Sequence, residues 1–294
     1  MSVAHLALPR AYQPENSLIK VDLHSHSTIS DGVLTPAQLA ARAHANGVSL
    51  WALTDHDEVS GLAQARAEAE SLGMAFVSGV EISVTWAKQS VHVLGLGIDE
   101  FDSGLLAGLA GIREGRSIRA REMADRLTSM GVPDSYEGAL AFAANPSLVS
   151  RTHFARFLVE RGYCKNMQAV FDKYLGENKP ANVRVQWSTL AEAVSWIIGA
   201  GGRAAIAHPG RYSFSPLQAD ALFEQFKELG GTGIEVITGS HTPDQYVEYA
   251  KVAQHYGFMA SCGSDFHSPK EARLDLGDLP SLPSGVKPIW HDWI

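Results

Sequence analysis

Imidazole and carboxylate side chains occur in short clusters along this chain, at spacings that suit metal ligands carried on strands. The candidate ligands are His24, His26, Asp31, His56, Glu81, His92, His208, Asp265 and His267. In an extended strand residues i and i+2 project to the same face, so the pairs at 24 and 26 and at 265 and 267 are each expected to converge. Imidazoles mixed with several carboxylates suit zinc, manganese or iron, and their number favours more than one ion.

The pattern of apolar runs predicts the elements that must position these side chains, an α/β sheet of parallel strands alternating with helices. Strands are expected at 19–23, 50–53, 75–80, 91–96, 204–207, 234–237 and 258–261. Barrels of parallel strands carry their chemistry at the carboxyl ends of the strands. The candidates expected at that rim are His24, His56, Glu81 and His92. The two ligand pairs at opposite ends of the chain indicate that the sheet closes on itself.

Residues 101–185 interrupt this alternation with helical patterns and no convincing strand. We therefore expect an N-terminal extension at 1–18, a discontinuous barrel at 19–100 and 186–294, and a helical insertion at 101–185 that forms a lid over the site. Most of the four arginines among the polar positions of its long helix are expected to be solvated surface residues. These arginines are Arg113, Arg116, Arg119 and Arg126.

Bulk composition limits the classes of function. The chain has 294 residues and a formal net charge of −8, which argues against a broad nucleic-acid-binding surface. Cys164 and Cys262 show no metal-binding or disulfide spacing, which fits a reducing compartment. Residues 1–18 lack the pattern of a signal peptide, and no stretch is apolar enough to cross a membrane. We expect a cytoplasmic protein, and we infer no membrane association and no protein partner.

The clusters together resemble the motifs of the polymerase and histidinol phosphatase (PHP) family of metallophosphoesterases. The matching runs are DLHSH at 22–26, SDG at 30–32, LTDHD at 53–57, GVEIS at 79–83, AHPG at 207–210 and GSDFH at 263–267. The resemblance implies a distorted (β/α)7 barrel. The runs SRTHFAR at 150–156 and HPGRY at 208–212 are similar to one branch of the family, which includes nucleoside 3',5'-bisphosphate phosphatases and a 5'-to-3' exoribonuclease, ribonuclease AM.

The resemblance also implies how the ligands divide among two or three divalent ions. One ion would take His24, His26, Glu81 and Asp265, and a second would take Glu81, His92 and His208, so that Glu81 bridges them. A third would take Asp31, His56 and His267. Some family members have histidine where Asp31 stands, and the carboxylate favours a harder ion such as manganese, with zinc or iron as alternatives.

Paired cations of this kind activate a water and neutralise the phosphate that it attacks, so no side-chain nucleophile is needed. Arg151, His153 and Arg211 are the candidates for phosphate binding, because they lie in segments shared with the resembling branch and arginine suits phosphate. His241 follows a predicted strand, where it is a candidate proton donor to a ribose leaving oxygen or a substrate contact. Asp55 either orients His56 or a neighbouring ligand, or caps the turn after the strand.

These features predict release of the 3'-phosphate from a small nucleotide that also carries a 5'-phosphate. The near alternative is a 5'-to-3' exoribonuclease on short 5'-phosphorylated RNA, since the scissile bond would occupy the same place. Two further alternatives are a histidinol-phosphate phosphatase and a noncatalytic metal-binding domain. The acidic charge balance favours mononucleotides or short oligonucleotides over long RNA.

Overall fold

Seven strands form one sheet that follows the order of the chain. They are β1 Val21–Asp22, β2 Leu50–Leu53, β3 Ala75–Trp86, β4 Gln89–Leu96, β5 Arg203–Ile206, β6 Gly233–Thr238 and β7 Met259–Gly263. The structure, a computed structural model, describes residues 19–293, so the expected extension and signal-peptide analysis at 1–18 fall outside it. The two ends of the sheet meet where the Leu23 amide donates to the Cys262 carbonyl at 2.9 Å. The predicted α/β barrel is confirmed.

The directions of the strands differ from the prediction at β4. The pairs β1–β2, β2–β3, β5–β6 and β6–β7 are parallel, whereas β4 runs antiparallel to both β3 and β5. The expectation of parallel strands throughout was therefore wrong. Because β4 is reversed, its first half reaches the rim that the parallel strands reach with their carboxyl ends. His92 lies in this half, so it arrives at the predicted rim for a different reason.

The helices are α1 Pro36–Ala45, α2 Leu62–Ser71, α3 Ser103–Ser129, α4 Ser135–Leu140, α5 Arg151–Glu160, α6 Met167–Val170, α7 Leu190–Gly199, α8 Pro216–Glu228 and α9 Pro243–Tyr256. Helix α1 begins at Pro36, a residue suited to the first helical position, and Thr35 and Gln38 form a reciprocal capping box. Its buried face packs on the barrel through Leu39 and Ala43. None of the helices in residues 19–293 combines the length and apolarity needed to cross a bilayer.

Helices α3 to α6 lie between β4 and β5, and no residue from 101 to 185 is in a strand. We refer to residues 101–185 as the helical segment. Helix α3 joins this segment to the barrel, because its first half contributes Leu105 and Leu109 to the core of the barrel. Its second half contributes Met123 and Leu127 to a second hydrophobic cluster. One continuous helix therefore fixes the helical segment against the mouth of the barrel.

Candidate metal centre

The backbone of β3 places Glu81 at the centre of the rim. An isolated parallel bridge joins Glu81 to His56, with the Glu81 amide donating to the Asp55 carbonyl at 3.2 Å. On the other side β4 pairs antiparallel, so that Ser83 lies opposite His92 and the side chains of Glu81 and His92 share a face. Sheet register thus brings the carboxylate and two of the imidazoles together, and it buries Glu81 completely.

One group of ligand atoms surrounds the Oε2 atom of Glu81. His24 Nε2 lies 3.3 Å from it and His26 Nε2 lies 3.2 Å from it, and the two nitrogens are 3.1 Å apart. Asp265 Oδ1 lies 3.5 Å from His24 Nε2 and 3.3 Å from His26 Nε2. A cation bound tetrahedrally at about 2.0–2.1 Å keeps its ligand atoms about 3.4 Å apart. The spacing of His24, His26 and Asp265 therefore fits three ligands of one cation, and Glu81 Oε2 lies beside the two imidazoles.

A second group surrounds the other oxygen of the same carboxylate. Glu81 Oε1 lies 2.9 Å from His92 Nδ1 and 2.8 Å from His208 Nε2. His208 follows β5 with a left-handed φ of 30°, a strained conformation for a residue with a side chain, which directs its imidazole toward the rim. Each oxygen of Glu81 thus faces a different set of imidazoles, the geometry of a bridging ligand.

The third group is more open. Asp31 Oδ1 lies 3.2 Å from His267 Nε2 and 3.9 Å from His56 Nε2, while the other nitrogen of His56 lies 2.9 Å from Glu81 Oε2. His56 therefore sits between the first and third groups. The extended backbone expected at 265–267 is wrong, because Asp265 has a left-handed φ of 54°. His267 Nδ1 donates instead to the Asp265 carbonyl at 2.9 Å, which leaves Nε2 free as a ligand.

Several buried ligand atoms lack a hydrogen-bond partner among the described residues, which indicates that these imidazoles and carboxylates suit metal ions. Glu81 Oε2, Asp31 Oδ1 and His56 Nδ1 are buried without a hydrogen-bond partner among the described residues. Buried polar atoms are normally hydrogen-bonded, so convergent lone pairs without donors indicate positions for cations. Divalent metal ions fit these imidazoles and carboxylates.

The protonation behaviour of the site follows from burial and close charges. Burial alone would raise the pKa of Glu81, but His56, His92 and His24 beside it hold that pKa well below its usual range. Burial would lower the pKa of His26, whereas Asp265 and Glu81 raise it to about 10. The carboxylates are therefore anionic at neutral pH and available to cations.

One carboxylate that the sequence reading missed supports two of these ligands. Glu235, on β6, is fully buried, with Oε1 3.0 Å from His24 Nδ1 and Oε2 accepting from the His208 amide at 2.6 Å. The contact to His24 fixes the tautomer that leaves Nε2 free for a metal. A signal existed, because a glutamate inside the otherwise apolar run of β6 is rarely buried without a partner.

Two aspartates near His56 stabilise the loops of the rim. Asp55 accepts from the Ser27 amide at 2.7 Å and from the Ser30 hydroxyl at 2.6 Å, so it anchors the loop after His26 rather than orienting His56. Asp57 accepts from Arg116 Nε at 2.7 Å. The expectation of solvated arginines was therefore wrong for Arg116, which is only 6% exposed. Long-range pairing between α3 and the rim had no signal in the local sequence.

Two other arginines of α3 also depart from the solvated expectation. Arg113 Nη1 donates to the Asp57 carbonyl at 2.9 Å, and Arg119 Nε donates to the Val183 carbonyl at the same distance. Arg126 fits the expectation of a solvated side chain better, since 41% of its side chain is exposed. The arginines of α3 nearest the barrel therefore face the site instead of solvent.

A cleft of about 310 Å³ opens over the candidate ligands. The arginines that line it are Arg116, Arg119, Arg151 and Arg211. Burial, with Arg211 and Arg116 close by, lowers the pKa of Arg151 to about 10. Arg211, half exposed, donates to Asp265 Oδ2 at 2.9 Å. This concentration of cations would be relieved by an anion in the cleft, as expected for a phosphate-binding wall.

His153 and His241 lie where direct substrate contact is not supported by their geometry. His153 is buried, its Nδ1 accepts from the Ser150 amide at 3.0 Å, and burial lowers its pKa to about 4, so it caps α5 as a neutral ring. His241 is also buried, with Nδ1 3.1 Å from the Val236 carbonyl and Nε2 accepting from the Gly210 amide at 3.0 Å. Burial lowers its pKa to about 4, so the ring is neutral near pH 7 and its one N–H is directed at the Val236 carbonyl. This geometry gives no support to the expected proton-donor role of His241, which stays a prediction.

A seven-stranded α/β barrel with imidazoles and carboxylates gathered at its rim defines a metal-dependent hydrolase. A family model described as the PHP domain matches residues 22–264. The chain therefore belongs to the PHP family.

Relatives of known activity match almost the whole chain. It is 48% identical over 94% of its length to a 3',5'-nucleoside bisphosphate phosphatase from Chromobacterium violaceum, covering 96% of that protein. It is 40% identical over 95% of its length to the 5'-3' exoribonuclease Rnm from Escherichia coli, covering 95% of that protein.

Solved structures share the fold. An amidohydrolase from Chromobacterium violaceum, determined with bound sulfate and no metal, superposes with a TM-score of 0.90 at 48% identity, covering 93% of this chain and 95% of that one. A protein described as a metal-dependent phosphoesterase from Bifidobacterium adolescentis superposes with a TM-score of 0.78 at 26% identity, covering 94% of each chain.

Proposed function

We propose that this protein is a metal-dependent phosphoesterase that releases the 3'-phosphate from nucleoside 3',5'-bisphosphates. The observation that carries the proposal is the position of Glu81, whose two oxygens face separate sets of imidazoles beneath a wall of arginines. The 48% identity to the phosphatase of Chromobacterium violaceum supports the same substrate.

We assign the ligands to three cation positions. The first position takes His24, His26, Glu81 and Asp265, the second takes Glu81, His92 and His208, and the third takes Asp31, His56 and His267. Manganese is the ion we expect, with zinc or iron as alternatives, because the Asp31 carboxylate makes the third position more anionic and so favours a harder ion. Bound there, the cations would activate a water and neutralise the scissile phosphate. Glu81 acts by holding negative charge between the first two positions.

Two features of the cleft suit a nucleotide that carries a second phosphate. Arg151 has no carboxylate within salt-bridge distance among the described residues, and Arg211 pairs only through Nη1, so both can donate hydrogen bonds to the 5'-phosphate. Phe171 lines the same cleft, its ring centroid 6.0 Å from the Arg151 guanidinium, and offers an aromatic face to a base. Stacking tolerates every base, so we expect weak base preference.

The helical segment closes this side of the cleft, since Arg116, Arg119 and Arg151 all belong to it. We therefore propose that residues 101–185 form a substrate lid on a barrel built from 19–100 and 186–294. Both cysteines are free, which fits the expected cytoplasmic compartment.

The exoribonuclease activity is the second candidate. A neighbouring cleft of about 190 Å³ shares His92, Arg119 and Arg151 with the first cleft and continues along Arg184 and Lys88. This extension offers cations to the phosphate of a following nucleotide. Exoribonucleases from Haemophilus influenzae and Escherichia coli are each 40% identical to the chain, which supports this alternative.

The test is a phosphate-release and product assay with manganese on three substrates. These are a nucleoside 3',5'-bisphosphate, a 5'-phosphorylated dinucleotide and histidinol phosphate. Preferred release of phosphate from the first substrate supports the proposal, whereas faster release of a mononucleotide from the second favours the exoribonuclease. Preference for histidinol phosphate, or nucleotide binding without hydrolysis of any of the three, would refute both.

A further inference from the structure

The helical segment contacts the Asp31 side of the site through the start of α5. The Ser150 hydroxyl donates to Asp31 Oδ2 at 3.1 Å, and Arg156 Nη1 donates to the Asp31 carbonyl at 2.8 Å. Ser150 is itself fixed by the helix, because it is the N-cap of α5 and forms a capping box with His153. The first turn of α5 therefore sets the rotamer of Asp31 and leaves its Oδ1 directed toward His267.

Residues of the helical segment also hold the loops that carry the other two ligands of the third position, His267 and His56. Arg156 also forms a two-pronged ion pair with Glu271, at 2.9 and 2.8 Å, in the turn that follows His267. Arg113 donates to the Asp57 carbonyl, and Arg116 pairs with the Asp57 carboxylate, directly after His56. All three ligands thus lie in loops that arginine side chains of the helical segment hold in place.

The first and second positions are supported differently. Glu235 on β6 holds His24 and the backbone of His208, and the Tyr212 hydroxyl accepts from the His92 amide at 2.9 Å. Among the described residues, no hydrogen bond from 101–185 reaches the side chains of His24, Glu81, His92 or His208. The barrel alone supports these two positions.

We propose that the helical segment sets the metal affinity of the third position, through Ser150 and Arg156 acting as positioning residues for Asp31 and the turn after His267. This inference rests on the ligand assignment proposed above. Groups that orient metal ligands through hydrogen bonds change metal affinity by about 10- to 100-fold when removed. Ordering of α5 and occupancy of the third position are therefore coupled.

The experiment measures manganese binding to the metal-free full chain by equilibrium dialysis, with no substrate present. Variants Ser150→Ala and Arg156→Gln are compared with Arg161→Gln, which changes an exposed arginine at the end of the same helix that stacks on Phe157. We expect three equivalents in the unmodified protein. The first two variants should weaken one equivalent by about 10-fold or more and leave two unchanged, while Arg161→Gln should leave all three unchanged.

Several outcomes would overturn the inference, and each points to a different fault. Three equivalents of unchanged affinity in both Ser150→Ala and Arg156→Gln would exclude the coupling but keep the ligand assignment. Only two equivalents in the unmodified protein would remove the third position itself. Equal weakening of all equivalents would indicate general disruption of the rim. Far-UV circular dichroism identifies a misfolded Arg156→Gln, in which case Ser150→Ala, which removes one hydroxyl, decides the matter.

Discussion

Replacement of Glu235 by glutamine tests whether a buried group outside the ligand set controls the metal centre. The carboxylate accepts from two donors at once, His24 Nδ1 at 3.0 Å and the His208 amide at 2.6 Å. Glutamine has the same shape but only one accepting oxygen. If that oxygen faces the His208 amide, the side-chain NH2 faces His24 Nδ1, which must then accept and carry its proton on Nε2. If the amide is flipped, two donors meet at His208.

The first arrangement removes the lone pair that His24 Nε2 presents to a cation. We therefore expect Glu235→Gln to lower metal affinity at the position formed with His26 and Asp265 by about 10- to 100-fold. This corresponds to about 1.4–2.8 kcal/mol. The flipped arrangement leaves a buried donor unsatisfied at a cost of about 1–3 kcal/mol in the free energy of unfolding. Either arrangement therefore predicts a measurable loss, of metal affinity in the first case and of stability in the second.

The assay is manganese titration of the metal-free protein, paired with thermal unfolding and with turnover at rising manganese. The matched control is Glu224→Gln, which removes an exposed carboxylate on α8. We expect turnover of Glu235→Gln to recover as manganese is raised, because the ligands themselves remain. Unchanged manganese affinity together with unchanged thermal stability would show that Glu235 does not determine the tautomer of His24.

Three further predictions concern other groups of the site. Glu81→Gln should lower turnover by about 1,000-fold or more, because losing the negative charge between two cations costs several kcal/mol. Near-normal turnover at full metal content would contradict the bridging role of Glu81. Arg151→Ala should raise KM by about 10- to 100-fold for substrates with a 5'-phosphate, because it loses a charge-assisted hydrogen bond, and an equal rise for substrates without that group would argue against anchoring. His241→Asn should leave the shape of the pH–rate profile between about pH 6 and 8 unchanged, because burial lowers the pKa of His241 to about 4 and the ring is already neutral in that range. Loss of one limb of the profile in this variant would instead support a proton-donor role for His241.

Local sequence was sufficient for most elements of the barrel. The strand at Leu50–Leu53 is fully buried and was predicted from its apolar run. The helix after Thr35 begins with a capping box and a proline, which residues adjacent in the chain supply. Such elements can be predicted from the sequence because strand burial and helix capping depend on residues that are neighbours in the chain.

The extension of β3 and the reversal of β4 could not be predicted from the sequence. The prediction ended this strand at residue 80, whereas it continues to Trp86 and turns back through Ala87 and Lys88, both with positive φ. Tight hairpin turns of this kind are normally marked by asparagine or glycine, and neither residue occurs at 87 or 88. Without that signal, two antiparallel strands read as consecutive members of a parallel series.

Most of the candidate ligands could be found from sequence, but the groups that orient them could not. Ligands occur in short runs at strand ends, whereas Arg116 and Asp57 are separated by 59 residues and Glu235 and His24 by 211. Pairing over such separations depends on the whole fold, and a single sequence shows only that an arginine or a glutamate is present. For His241 the strand-end position did not show which way the ring faces, and in the structure its Nε2 accepts from the Gly210 amide.

The positions of the ligands also explain how a barrel with so short a first strand can close. Strand β1 is two residues long, and beyond it the seam with β7 depends on single backbone contacts, such as the Asp265 amide to the His24 carbonyl at 2.8 Å. His24 and His26 come from one side of this seam and Asp265 comes from the other. A cation held by all three would join the first and last strands of the sheet, as a structural metal does when its binding energy is also folding energy. The centre that we assign to catalysis therefore lies at the seam between the first and last strands, to which β1 contributes only two residues.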